Sequence, residues 1–585
     1  MTSSDAEALY EAGIACLRSG DVAGARDRFV AALQSDPDHV HAHNGMGLAL
    51  AALGQDDAAL HHYDTAIRIQ PEFASPYINR SLILHRRGDV KAALDGLNRA
   101  IQLQPDNPTA HNNRGSIFTE LMMPREAIAS LNQVLAIDPD YPLAAGLRLL
   151  NKIYICDWNG FQRDLPMLGD RLDRGEAAAP PWALLPLIDR PDLQRRAAES
   201  WAAQNAPAST ALGPAPVYPN HERIRIGYYS ADFHRHATAH LIAELFERHD
   251  RNNFEVFAFS LGTPKGDEME KRLMAGVDKF VDVSAKSDRD IAQLSRELEI
   301  DIAVDLKGLT VGHRMAAFAQ RAASIQVNYL GFPGTLGAPY YDYIIADEVI
   351  IPQDARRHYT ENVIALPGSY QVNDRRRQVS DRVFTRAELG LPESGMVFCC
   401  FNNNFKIMPY VFDVWMRILH AVPGSVLWLI EDNPIAAENL RWEAERRGVE
   451  KKRIVFAGRI APEDHLARQK CADLFLDTYP YNAHTTASDA LWVGVPLITC
   501  PGDTFASRVA ASLLTAMDLP ELIVPTFNHM EELAVELAKD PARLAALKEK
   551  VKKNGTTSTL FDTDDFARKI EGAYQQMIAA QRTKH

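Results

Sequence analysis

At 585 residues the chain is several times the roughly 100–200 residues of one domain, which excludes a lone small module and predicts three or four domains with sizeable cores. Lys and Arg total 63 against 76 Asp and Glu, a net charge of −13 with no long basic run, and this excludes a general nucleic-acid binder. With 46% apolar and 24% charged residues, general disorder is excluded as well. The six cysteines are scattered without CxxC spacing, which predicts a reducing compartment. The opening MTSSDAEALYEAG has neither a basic start nor an apolar run, and no segment reaches the roughly 18 apolar residues of a membrane span. A soluble, cytoplasmic protein with no membrane or nucleic-acid partner is expected.

The first elements in chain order are repeats, expected over residues 1–140. Pro37, Pro71, Pro105 and Pro139 are each 34 residues apart and close similar phrases, ALQSDP, AIRIQP, AIQLQP and VLAIDP. Small residues recur in register at Ala25, Ala59, Ala93 and Ala127, and Phe29, Tyr63, Leu97 and Leu131 fill the large position between them and the next small residue. Gly20, Gly54 and Gly88 fall where two helices would turn. This is the 34-residue tetratricopeptide pattern of stacked helical hairpins, here in four units. A groove along such a stack takes an extended peptide. Asn79 and Asn113 occupy the same position of successive repeats, where amides could hold a peptide backbone, or serve capping and solvation instead.

Residues 141–215 stay helical without the period and read as a capping and linking region. From Ile224 short apolar strands, IRIGYYSADF, FEVFAFSL, DIAVDLKG, SIQVNYLG and YDYIIADEVII, alternate with amphipathic stretches. The arginine-rich VNDRRRQVSDR interrupts them, and the alternation restarts with MVFCCFNNN, SVLWLIED, RIVFAGRI, ADLFLDTYP and VPLITC. Buried strands alternating with helices predict doubly wound parallel sheets, one domain over 216–385 and another with a terminal helix over 386–585. Ligands in such domains sit beyond the carboxyl ends of the strands.

The window from Asp477 carries the most chemistry. After a polar loop His484, Thr485 and Thr486 open a helix, with a threonine cap and free amides suited to phosphate, and Asp489 lies one turn further on, suited to ribose hydroxyls. GDTFASR (Gly502–Arg508) reads as a second anion-binding helix start, and simple capping is the plainer reading of either start alone. Neither GxxxxGK[ST] nor a strand-linked GxGxxG occurs, which disfavours ATP and NAD chemistry. Lys406 follows a β-run, where it could neutralise a phosphate or simply be solvated. His465 and Arg468 share a helix face, where they could meet a planar base. Asp232, His234, His236 and His240 follow a strand without zinc-site spacing, so one histidine as general base or orienter is expected. The loop GFPGTLGAP, with Gly334 and Thr335 at its centre, suits the rim of a sugar pocket or a tight turn.

Together with ICDW (Ile155–Trp158), SADFHRHATAHL, LGFPGTLGAPYYDYIIAD, FNNNFKI, SVLWL, APEDHLAR, YNAHTTASDALWVGVP and PGDTFASRVAASLL, the repeats resemble the protein O-linked N-acetylglucosamine transferase family, including its plant SPINDLY branch, over almost the whole chain. The resemblance implies a GT-B pair of Rossmann-like domains after the repeats, and a metal-independent, inverting transfer of N-acetylglucosamine from UDP-GlcNAc to Ser or Thr of protein acceptors. It implies that Lys406 contacts the diphosphate, that His484, Thr485 and Thr486 surround it, that Asp489 holds the ribose and that His465 and Arg468 flank the uracil. Gly334 and Thr335 would border the donor, and His236 matches a histidine discussed as a base. Two departures are visible. Pro462 stands where animal members have a ribose-contacting lysine, and residues 374–395 replace a large insert. YNAHTTASD, where SPINDLY fucosyltransferases resemble YAGTTTT, favours a UDP-sugar over GDP-fucose; a catalytically idle repeat adaptor is the alternative of another class. No cofactor or metal is expected, because Asp562-Thr563-Asp564 lies beyond the last sheet segment.

Overall fold

The computed structural model describes residues 3–219 and 221–583, which divide into two compact units, 1–152 and 153–585. The first unit holds four helical hairpins: α1 (Ser3–Arg18) with α2 (Val22–Ser35), α3 (Val40–Ala52) with α4 (Asp56–Ile69), α5 (Ala74–Arg86) with α6 (Val90–Leu103), and α7 (Pro108–Glu120) with α8 (Pro124–Ile137). Ala25, Ala59, Ala93 and Ala127 are fully buried, as are Phe29 and Leu97, so the small positions do let neighbouring helices close on the large ones. Asp21 and Asp89 cap α2 and α6 by accepting the Gly24 and Ala92 amides.

The turns inside the first three hairpins need a left-handed residue, and Gly20, Gly54 and Gly88 supply it at φ +81°, +74° and +80°. The fourth hairpin puts Met122 there at φ +54°, with its side chain largely exposed. A side chain in this region costs about 1–2 kcal/mol, and glycine returns part of that gain through its freer unfolded chain. Met122→Gly should therefore raise the stability of the repeat unit by about 0.5–1 kcal/mol, read by denaturant unfolding. An unchanged or lower midpoint would contradict the strain argument.

In the second unit a helical segment, Phe161–Asp173, Pro181–Leu187 and Pro191–Asn205, precedes two parallel sheets. The first sheet comprises β1 (Ile224–Ser230), β2 (Phe254–Ser260), β3 (Lys279–Asp282), β4 (Ile302–Asp305), β5 (Ile325–Asn328), β6 (Tyr343–Ala346) and β7 (Asn362–Ala365), in the order 3-2-1-4-5-6-7. The second comprises β8 (Val397–Cys400), β9 (Val426–Ile430), β10 (Ile454–Ala457), β11 (Leu474–Leu476) and β12 (Leu497–Ile498), in the order 10-9-8-11-12. Each sheet reverses direction of growth beside its first strand, between β1 and β4 and between β8 and β11. These are the two switch points where doubly wound sheets open a crevice.

Two features depart from the sequence expectation. The terminal helix Thr563–Arg582, expected with the second sheet, packs on the first lobe: Tyr574 shares a hydrogen bond with Tyr228 at 3.0 Å, and Glu571 meets His249 Nδ1 at 2.9 Å. The arginine-rich segment is no loose connector. Arg375 pairs with Glu244 and Asp564, Arg376 with Glu247, and Arg377 with Asp489 on the helix Thr485–Trp492. Asp562 caps the terminal helix by accepting the Asp565 amide.

Candidate functional site

The second switch point is built around Asp477, which follows β11. Its buried carboxylate accepts the Thr478 and Ala483 amides at 2.8 and 2.7 Å and the Thr499 hydroxyl at 2.6 Å. Burial raises its pKa to about 6 against those hydrogen bonds. The loop it organises leads into the helix Thr485–Trp492. The expected threonine cap is absent: His484 is the N-cap and makes no side-chain cap bond, while the Thr486 hydroxyl donates to Asn402 Oδ1 beyond β8. The Ala487 amide bonds back to the His484 carbonyl, so the leading amides of Thr485 and Thr486 point out of the helix start. His484 Nε2 donates to the Ala506 carbonyl at 3.1 Å, and burial, helped by Lys406, holds the ring neutral.

Lys406 ends a short turn, Asn404–Lys406, after β8. It is buried, not a solvated loop lysine. Its ammonium donates to the Asn482 carbonyl at 2.8 Å and sits 3.7 Å from the Tyr481 ring centroid. Burial drives its pKa down to about 7, partly offset by Asp477. A desolvated cation, two leading helix amides and a neutral imidazole thus border one switch point, a combination suited to a diphosphate.

On the helix Pro462–Gln469, Arg468 Nη2 donates to His465 Nδ1 at 2.8 Å. Burial and Arg468 push His465 down to about 4, so it stays neutral, and its ring lies edge-on to Phe401 at 5.1 Å. Asp489 and Arg377 stand close enough to influence both His465 and, from the first lobe, His240.

At the first switch point His236 is the N-cap of the helix Ala237–Arg248 and accepts the Thr238 amide on Nδ1. Asp232 Oδ2 is 3.5 Å from that nitrogen but accepts from Lys307 Nζ at 2.5 Å. Burial lowers the His236 pKa, and with Nδ1 accepting, the neutral ring carries its proton on Nε2. To act as a base through Nε2 the ring must exchange tautomers, turning an Nδ1 proton towards Asp232.

Three expectations need correction. Gly334 and Thr335 do not form an open rim, since both are buried. The Thr335 hydroxyl donates to Glu361 at 2.5 Å, the Gly334 carbonyl accepts from Asn328 at 2.9 Å, and a Cβ on Gly337 would lie 2.3 Å from the Ala198 backbone. The loop is a packed joint against the helix Pro191–Asn205. The second anion-binding start, at Gly502–Arg508, is filled by the protein itself: Asp189 accepts the Asp503 and Thr504 amides at 2.8 and 2.9 Å and the Thr504, Ser507 and Tyr479 hydroxyls at 2.8, 2.9 and 2.6 Å. In the repeats, Asn79 does not simply cap or meet solvent, for its amide donates to Asn44 Oδ1 at 3.0 Å; Asn113 is half-buried on α7. Asn402, Asp477 and Asn482 stand inside quoted motifs but were given no role, and Asp189 and Arg377 went unnoticed as members of the site, because each acts through a partner distant in the sequence.

Tandem doubly wound parallel sheets with crevices at two switch points define a two-domain α/β class, preceded here by tetratricopeptide repeats. The glycosyl transferase family 41 model matches residues 214–383 and 377–570, and tetratricopeptide models match 10–72 and 82–121. The chain belongs to glycosyl transferase family 41. It is 38% identical over 362 residues to a probable UDP-N-acetylglucosamine–peptide N-acetylglucosaminyltransferase SEC of Arabidopsis thaliana, covering 61% of this chain and 37% of that protein. It is 30% identical over 474 residues to the UDP-N-acetylglucosamine–peptide N-acetylglucosaminyltransferase of Caenorhabditis elegans, covering 61% and 41%. A rice SPINDLY protein, also named a probable enzyme of that activity, is 32% identical over 361 residues, covering 60% and 38%. The aligned part thus amounts to about two fifths of the length of these curated relatives. A mutant O-GlcNAc transferase of Thermobaculum terrenum matches with a TM-score of 0.68 and 28% identity over 100% of this chain and 99% of that one. No helix among the described residues is long and apolar enough to cross a membrane.

Proposed function

We propose that the protein transfers N-acetylglucosamine from UDP-GlcNAc to Ser or Thr hydroxyls of proteins in the cytoplasm, by an inverting, metal-independent displacement. The observation that carries this reading is the buried Lys406 ammonium beside the outward amides of Thr485 and Thr486 at the second switch point. The acceptor oxygen attacks the anomeric carbon as the bond to the diphosphate breaks, and UDP leaves with the electron pair. Lys406 and the helix start stabilise that growing charge, which removes the need for a divalent ion. His465 and Arg468 take the base and Asp489 the ribose. The hydroxyl proton passes to a base, for which His236, turned to its Nδ1–H tautomer, is the candidate. The groove of the repeats, with Asn79 and Asn113 along it, holds an extended acceptor peptide through its backbone.

Incubation with labelled nucleotide sugars tests the reading. Label should reach protein Ser or Thr from UDP-GlcNAc and not from GDP-fucose, and the rate should survive a chelator. Transfer only from GDP-fucose would overturn the donor, label on Asn the linkage, and loss restored by magnesium or manganese the metal-free mechanism. UDP binding with no transfer to any protein would favour an idle adaptor.

A further inference from the structure

Three adjacent arginines leave the inter-lobe segment in different directions. Arg375 and Arg376 spend their charge on Glu244, Asp564 and Glu247, acids of the helix Ala237–Arg248 and the terminal helix. Those pairs attach the segment to the first lobe. Arg377 alone of the three reaches the second lobe, where its guanidinium meets the Asp489 carboxylate.

The setting of this pair is unlike that of a surface ion pair, which contributes little. The two side chains are only 12% and 14% exposed. Both groups lie within electrostatic reach of His465 on the helix Pro462–Gln469 and of His240 on the helix Ala237–Arg248, one from each sheet domain. Asp489 is on the first turns of the helix whose leading amides border Lys406's side of the switch point. Arg377 Nη1 donates to Asp489 Oδ1, and among the described residues no protein donor takes Oδ2. A carboxylate that is to accept a ligand hydroxyl must be fixed in one rotamer and still have an oxygen to offer. An arginine held by its own chain on one side of the carboxylate meets both conditions.

We propose that Arg377 is the positioning residue of the nucleotide subsite. From the inter-lobe segment it fixes Asp489 to receive the ribose hydroxyls of a uridine diphosphate donor, so sugar recognition by the second lobe depends on how the segment is seated. This rests on the UDP-sugar reading above.

The test compares UDP with 2′-deoxy-UDP, titrated calorimetrically into the full chain. The wild type should prefer UDP. Arg377→Met should weaken UDP by roughly tenfold or more and erase most of the preference, since one charge-assisted contact is worth about a factor of ten. Donor KM should rise accordingly with kcat at saturation little changed, and Arg377→Lys, which keeps the charge, should recover part of the preference. Asp489→Asn should lose the preference too, and the double variant should be no worse than the weaker single one, because both act through one contact. A variant that is merely misfolded would lower apparent kcat with donor KM unchanged and would not be rescued by lysine. The proposal is overturned if Arg377→Met keeps the wild-type preference, if its loss adds independently to that of Asp489→Asn, if lysine rescues nothing, or if the wild type binds UDP without distinguishing the deoxy form. If the wild type binds no UDP, the donor reading falls first and this inference with it.

Discussion

Lys406→Ala should lower turnover by roughly 10²–10³, with a smaller loss of donor affinity, because a preorganised cation stabilises the charge of the departing diphosphate more than that of the bound donor. Turnover measured beside thermal unfolding checks it. Near-wild-type activity would place the neutralising group elsewhere, and a matching fall in melting temperature would make the lysine structural. The burial that makes Lys406 effective also gives it a pH signature. Its pKa in the free protein lies near 7, far below that of a solvated lysine. Protonated below that value and neutral above it, the free protein should show kcat/KM falling as pH rises through about 7. A bound diphosphate favours the charged form, so UDP binding at pH 8 should take up a large fraction of one proton, read by calorimetry in buffers of different ionisation enthalpy. No uptake would mean that Lys406 is already charged or far from the diphosphate.

Asp189→Ala should cost about 1–3 kcal/mol, a large effect for one side chain outside the core. The carboxylate satisfies five donors. Those of the buried Thr504 and Ser507 also bond to each other within their turn, so their loss is softened, while the Asp503 amide and the Tyr479 hydroxyl lose the acceptor that Asp189 gives them. The loss should appear as an earlier first thermal transition and should be largely regained in sulfate or phosphate if the emptied amides take an anion. A shift of under about 1 kcal/mol would show that water replaces the carboxylate without penalty.

The repeats were legible because their physics is local: a 34-residue period in Ala, Phe or Leu, Gly and Pro prescribes hairpin, crossing and turn before any long-range contact forms. The sheet cores were legible for the same reason, as continuous apolar runs such as FEVFAFS and VLWLI. The edge strands β3 and β7 were not, since KFVD and NVIA are partly exposed and show no such run. The phosphate-suited helix start at Thr485 was visible in the order of its residues, but whether such a start is open or filled was not. Gly502–Arg508 reads much like it and is closed by Asp189, about 300 residues earlier in the chain. Likewise, a lysine after a strand reads as solvated until Tyr481 and Asn482 fold over it, and an arginine-rich stretch reads as a linker until Asp489 meets Arg377. Periodicity and strand composition follow from each segment's own need to bury an apolar face. Desolvation and charge pairing depend on which distant segment arrives at the same place, and only the tertiary structure decides that.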